Sequence, residues 1–201
     1  MKRIFAAALA VSASLLLATS SQATLMTYTA TLTAAAEGNP ADHSTGTGFT
    51  TVTFDTLTDI LHVGVTFSGL TGWTSAAHIH CCTPTPFAGN IGIATELPSF
   101  SNLPMNVTGG SFTEDYNLTL ASSFNPAFVT ANGTTAGAEA QLVSHLWNGT
   151  AYLNIHTRTN GATGAAGIGS GEIRGILTPE PASVALLTVS LLGMAVARRR
   201  R

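Results

Sequence analysis

Between residues 24 and 178, apolar side chains recur at every second position far more than at every third or fourth. Alternation with period two sends successive side chains to opposite faces of an extended strand. In "TYTATLTA", Tyr28, Ala30, Leu32 and Ala34 alternate with Thr27, Thr29, Thr31 and Thr33. "GFTTVTFD" puts Val52 and Phe54 on one face. "DILHVGVTFSG" puts Leu61, Val63, Val65 and Phe67 on one face and His62 on the other. "AAHIH" and "NIGIATEL" predict two short strands. "SFTEDYNLTL" predicts a longer one, with Phe112, Glu114, Tyr116, Leu118 and Leu120 on a common face. "AYLNIHT" and "GEIRGIL" complete the set, and "TNGATGAAGIGSG" (159–171) reads as a Gly/Ala loop between them. Gly69, Gly72 and Pro84 mark turns.

One segment breaks the pattern. "TTAGAEAQLVSHLWNG" spaces Ala138, Leu142 and Leu146 along one helical stripe. Thr134 or Thr135 suits its N-cap, and Gly149 its end. One short helix is therefore expected near 136–147. Short strands separated by turn signals predict an all-β fold, an antiparallel β-sandwich or barrel.

The two ends follow other rules. Lys2 and Arg3 precede the apolar run "IFAAALAVSASLLLA", and Ser21 and Ala23 suit positions −3 and −1 of a cleavage site. Residues 1–23 read as a secretory signal peptide, cut after Ala23 by signal peptidase. The run falls short of the ~20 residues that a spanning anchor needs. At the other end, Pro179, Glu180 and Pro181 lead into an uncharged run from Ala182 to Ala197, closed by Arg198, Arg199, Arg200 and Arg201. A short apolar helix ending in arginines enters a membrane with those charges on the cytoplasmic side. In all three parts, 179–201 resembles the PEP-CTERM sorting signal of Gram-negative bacteria. The resemblance implies transient insertion in the inner membrane, recognition by an exosortase, and transfer to the cell surface or extracellular matrix.

Residues 24–178 remain, enough for one domain with a real core. Six of the eight basic residues lie in the ends, which leaves Arg158 and Arg174. Nine acids, Glu37, Asp42, Asp55, Asp59, Glu96, Glu114, Asp115, Glu139 and Glu172, against two bases give −7. Such a surface has no electrostatic attraction for nucleic acid.

Three stretches, "GLTGWTSAAHIHCC", "AYLNIHT" and "GEIRGIL", together and in this order resemble the CHRD domain, a module named for chordin and found in secreted bacterial proteins. The resemblance covers most of 24–178 and implies an immunoglobulin-like β architecture. In chordin, related domains belong to a protein that binds a growth factor; for bacterial members the resemblance implies no particular activity. Where family members often carry Gly and Pro after His-x-His, this chain has Cys81 and Cys82.

Alternation also organises the candidate chemistry. His78 and His80 share a face opposite Ile79; Tyr152, Asn154 and His156 share a face opposite Leu153 and Ile155. If the aliphatics face the core in both strands and the strands are neighbours, His78, His80 and His156 converge on the outer face. Three imidazoles suit copper or zinc, with Glu172 or a sulfur of Cys81 or Cys82 as a fourth ligand. Equally, a strand histidine can simply hydrogen-bond a backbone carbonyl or an Asn and orient a covering loop. Arg174 is placed to pair with Glu172. His43, His62 and His145 have no partner visible in the sequence.

No hydrolase elbow appears, Glu114 and Asp115 take opposite faces, and the full ligand set of copper-zinc superoxide dismutases is missing. In an oxidising compartment, two adjacent cysteines point to a vicinal disulfide or a metal-assisting pair. The expected function is an exported, exosortase-sorted, non-catalytic module that binds exopolysaccharide or a surface protein, or serves structurally. The alternative is a copper- or zinc-binding protein, redox-active or not, that uses His78, His80 and His156.

Overall fold

The structure, a computed structural model, describes residues 24–38, 44–86, 88–160 and 171–181. The expected leader (1–23), the apolar run and arginines of the tail (182–201), His43 and most of the 159–171 loop lie outside these residues. Among the described residues, no helix is long and apolar enough to cross a membrane.

Among the described residues, eight strands follow in chain order: β1 (Leu25–Thr33), β2 (Thr47–Asp55), β3 (Ile60–Ser68), β4 (Trp73–Cys81), β5 (Gly110–Asn117), β6 (Ala151–Arg158), β7 (Ile173–Ile176) and β8 (Thr178–Pro179). They form one antiparallel sheet in the order β4-β6-β7-β1-β2-β3-β5, with β8 also paired to β1. The all-β expectation holds, and the hydrogen bonding takes the form of a single curled sheet, a half-barrel. Its inner face carries the residues that period two assigned to it. Tyr28, Leu32, Val52, Leu61, Val63, Ile79, Leu153 and Ile155 are all fully buried.

Among the described residues, three α-helices accompany the sheet, α1 (Ala34–Glu37), α2 (Pro126–Ala131) and α3 (Thr135–Trp147), together with a 3-10 turn at Ala121–Ser123. The last is the expected helix. Thr134 caps it by accepting from Gly137 N, and Ala138, Leu142 and Leu146 drop into the core. Gly149, at φ 65°, ends it in the left-handed region. The two shorter helices leave no mark in the hydrophobic pattern, because one or two turns carry no measurable period. Asn125 caps α2 ahead of Pro126, an N-terminal signal with too little helix behind it to read.

"NIGIATEL" is not a strand. It runs beside β4 through the isolated bridge His80↔Ile93, while Thr95 bridges to Phe124. The amides of Ala94 and Thr95 both donate to the one carbonyl of Ile79, which breaks the ladder that regular pairing requires. The "SFTEDYNLTL" strand also ends early, at Asn117; Leu118 is buried in the turn beyond it and Leu120 is exposed.

Replacing Leu142 by Ala removes a fully buried side chain on α3. We expect a loss of about 2–5 kcal/mol of unfolding free energy in a denaturant titration. Leu120→Ala, on the surface, is expected to change it by less than about 0.5 kcal/mol.

Candidate functional site

Register decides which side chains meet. β4 and β6 pair with Ala76 opposite His156, His78 opposite Asn154 and His80 opposite Tyr152. Asn154 lies opposite Arg174 on β7, and Arg174 opposite Thr33 on β1. Directly opposite residues share a face. His78, His80, Asn154, His156 and Arg174 therefore stand on the outer face, continuous with the threonines of β1, while Ala77, Ile79, Leu153 and Ile155 fill the core. The three imidazoles converge. Ring centroids are 5.4 Å apart for His78–His156, 5.9 Å for His78–His80 and 6.0 Å for His80–His156. One nitrogen from each ring lies within 4.8 Å of the other two.

The outer face is covered here. His78 is 3% and His80 7% exposed. β4 is an edge strand, and residues 91–107 bond along its free edge: Cys81 N to Gly92 O, Ala94 N to Ile79 O, Phe100 N to Ala77 O, Asn106 N to Thr74 O. From this segment two carbonyls turn toward the rings. His78 Nε2 lies 2.8 Å from Pro98 O, and His80 Nδ1 2.7 Å from Ile91 O. A carbonyl can only accept, so those nitrogens carry the protons and the opposite nitrogens are bare. His78 Nδ1 and His80 Nε2 are buried with no hydrogen-bond partner, as is Oδ1 of Asn154, itself 1% exposed. The orienting role and the available lone pair, alternatives in the sequence, thus coexist on the same rings.

Burial holds the pKa of both His78 and His80 down to about 4. The carbonyl hydrogen bonds oppose that shift; a charge on His156 reinforces it, and for His80 the neighbouring Asn154 amide opposes it while Arg174 adds to it. Both rings are therefore neutral near pH 7.

A stack continues the site toward β7. Tyr152 lies parallel to His80 at 4.8 Å, and the Arg174 guanidinium sits 4.7 Å from the Tyr152 centroid. Arg174 donates to Ala36 O, Gly89 O and Asn90 Oδ1, and Tyr152 OH lies 3.3 Å from Ile91 O. Reading alternation along "AYLNIHT" places Tyr152 with the histidines. Placing Arg174 beside it needs the β6–β7 register, which the sequence does not contain.

Glu172 departs from expectation. It is 0% exposed, and its carboxylate accepts from Thr71 N, Gly72 N (3.1 Å), Thr157 Oγ1 (2.6 Å) and Ser44 Oγ. It is not brought to the histidines and does not pair with Arg174. The reason is local: β7 begins at Ile173, so Glu172 lies in the bend before the strand, where alternation no longer assigns faces. Cys81 and Cys82 form a disulfide with each other. His145 of α3 lies beside these sulfurs, and its Nδ1 is 2.6 Å from Thr150 Oγ1. His62, outward on β3, meets Asp115 of β5 at 2.5 Å, a cross-strand partner that only register reveals.

A family model described as the CHRD domain matches residues 28–177, which include every residue of the histidine cluster and the stack. No curated protein and no solved structure matches the chain.

Two predictions follow from these environments. Unfolded histidines take up protons near pH 6.5, whereas folded His78 and His80 do so only near pH 4. The stability of the metal-free protein is thus full above pH 6.5 and falls as pH drops from 6.5 toward 4, by up to about 1.4 kcal/mol per pKa unit for each ring. Denaturant midpoints measured across this window check it, and His78→Gln should flatten the slope. Separately, Glu172→Ala strands two buried donors, Gly72 N and Thr157 Oγ1, and two part-buried ones, and should cost about 3 kcal/mol or more in the same titration.

Proposed function

The chain belongs to the CHRD domain family, and from that membership we propose that it is an exported, non-catalytic binding module held at the cell surface or in an exopolysaccharide matrix. The observation that carries this reading is the uncovered part of the outer face. Thr29, Thr51, Gly64 and Thr113 lie side by side across β1, β2, β3 and β5; the next row is Thr31, Phe49, Thr66 and Ser111. Most of these positions are solvent-exposed, and Phe49, 48% exposed, presents its ring among the hydroxyls of this face. Phe49 borders a shallow depression lined by Thr51, Gly64, Thr66, Ser111 and Thr113.

A flat row of hydroxyls with one aromatic ring matches a polyhydroxylated ligand. A sugar ring offers an apolar C–H face to the phenyl group and hydroxyl edges to the threonines. The acidic balance of the domain disfavours polyanions and leaves a neutral exopolysaccharide as the fitting partner.

Sorting by the C-terminal tail completes the reading. Pro179 pairs with Tyr28, Glu180 N donates to Thr27 O (2.8 Å), and Thr29 Oγ1 donates to Glu180 Oε1 (2.7 Å). Exosortase processing just beyond Glu180 would leave every strand in place.

The test uses Phe49→Ala and Gly64→Val. A Cβ at Gly64 meets nothing closer than 3.7 Å, so valine fills the depression without forcing the backbone. Both variants should keep the parent melting temperature and bind the host's own neutral exopolysaccharide about tenfold or more weakly. Unchanged binding in both would overturn the reading.

A further inference from the structure

On the covered part of the outer face, away from the Phe49 depression, His78 Nδ1 and His80 Nε2 are buried without a hydrogen-bond partner, Asn154 being the polar side-chain neighbour of His80. A buried acceptor without a partner costs about 1–3 kcal/mol. Here two of them sit on rings that are 3% and 7% exposed and that cluster with His156. The far nitrogens are already held by Pro98 O and Ile91 O. That is the outer support by which proteins fix the tautomer and ring orientation of a metal-bound histidine. A trigonal ion bound at about 2.0 Å keeps its donors about 3.5 Å apart. One nitrogen from each ring lies within 4.8 Å of the other two, so the rings reach that spacing with shifts on the order of 1 Å. His156 is the partly exposed member of the three and marks the side from which an ion can enter.

Charge selects the ion. All three donors are imidazoles, which bring no negative charge to a bound ion. Of the buried carboxylates, Glu172 is saturated by four donors elsewhere. The sulfurs of Cys81 and Cys82 are bonded to each other and carry no thiolate charge. Near the rings the fixed charges are those of Arg174, stacked over Tyr152 against His80, and of the buried carboxylate of Glu37, which also acts on Tyr152. The cost of burying an ion grows with the square of its charge, so a dication would meet about four times the penalty of a monocation, and the one carboxylate nearby, Glu37, shares its surroundings with the Arg174 cation. Imidazole suits copper, and copper has a stable monovalent state that accepts three donors. We propose that His78, His80 and His156 together bind one copper(I) ion beneath the 91–107 segment.

The competing occupant is a water molecule donating to two of the bare nitrogens. The test uses the full chain, exported, purified without a polyhistidine tag, stripped with chelator and titrated anaerobically with copper(I) against a chromophoric copper(I) chelator. One copper per chain is expected. His156→Ala, which changes the least buried ring, should weaken binding at least about 100-fold with an unchanged circular dichroism spectrum. His62→Gln should leave it unaltered. So should the Cys81→Ser, Cys82→Ser double variant, because the sulfurs take no part. Copper-edge absorption on the wild-type protein should show nitrogen donors only, which keeps the proposal testable if a histidine variant fails to fold. The proposal is overturned by the absence of stoichiometric copper (the result for a site filled by water), by equal affinity in His156→Ala, by loss of copper in the cysteine double variant, or by zinc taken in preference to copper(I). None of these outcomes depends on exopolysaccharide binding, so the two readings fail independently.

Discussion

The hydrogen bonds from His78 to Pro98 O and from His80 to Ile91 O join two parts of the molecule that the chain pattern alone would leave separate. One part is an edge strand, β4, whose outer face carries histidines. The other is the irregular segment 91–107. An open strand edge exposes unpaired amides and carbonyls and invites pairing with other chains. The segment closes that edge by main-chain hydrogen bonds, and the two histidines fasten it over the face of the sheet. From this fastening come the burial of the rings, their fixed tautomers, their depressed basicity and the two bare nitrogens. The rest of the outer face, from β1 to β5, has no such cover among the described residues and keeps its threonines in water. One sheet thus has two outer regions with different chemistry.

Glu172 is the second buried polar anchor. A buried carboxylate is tolerated only when donors surround it. Here the donors come from distant points of the chain, Ser44, Thr71, Gly72 and Thr157, so the single charge ties the turn before β4, the end of β6 and the start of β7 together. It also explains why the charged-looking "GEIRG" stretch contributes an acid to the scaffold and a base to the site. Arg174, two residues on, projects to the outer face and stacks on Tyr152 instead.

The strands were legible wherever the core lies on one side of the sheet only, because there burial and period two coincide, as in β1, β2 and β3. The α3 helix was legible from three apolar residues at spacing four with a threonine cap. The meeting of His78, His80 and His156 was also legible, since it needs only alternation in two strands and their adjacency. What the sequence could not supply was anything dependent on irregular backbone. The cover over the histidines comes from a segment whose apolar alternation imitates a strand while its amides converge on one carbonyl. Glu172 fell outside the face rule by a single residue. The Arg174–Tyr152–His80 stack and the His62–Asp115 pair depend on register between strands far apart in the chain. Adjacent cysteines were compatible with a disulfide or with assistance to a metal, and only coordinates distinguish the two.

The most direct test of the proposed copper site is anomalous diffraction at the copper edge from crystals of the protein loaded with copper(I). The account predicts one peak about 2.0 Å from His78 Nδ1, His80 Nε2 and a nitrogen of His156, with Pro98 O and Ile91 O still bonded to the far nitrogens of His78 and His80. A map with no peak among these rings, or with its only peak at the sulfurs of Cys81 and Cys82, would contradict it.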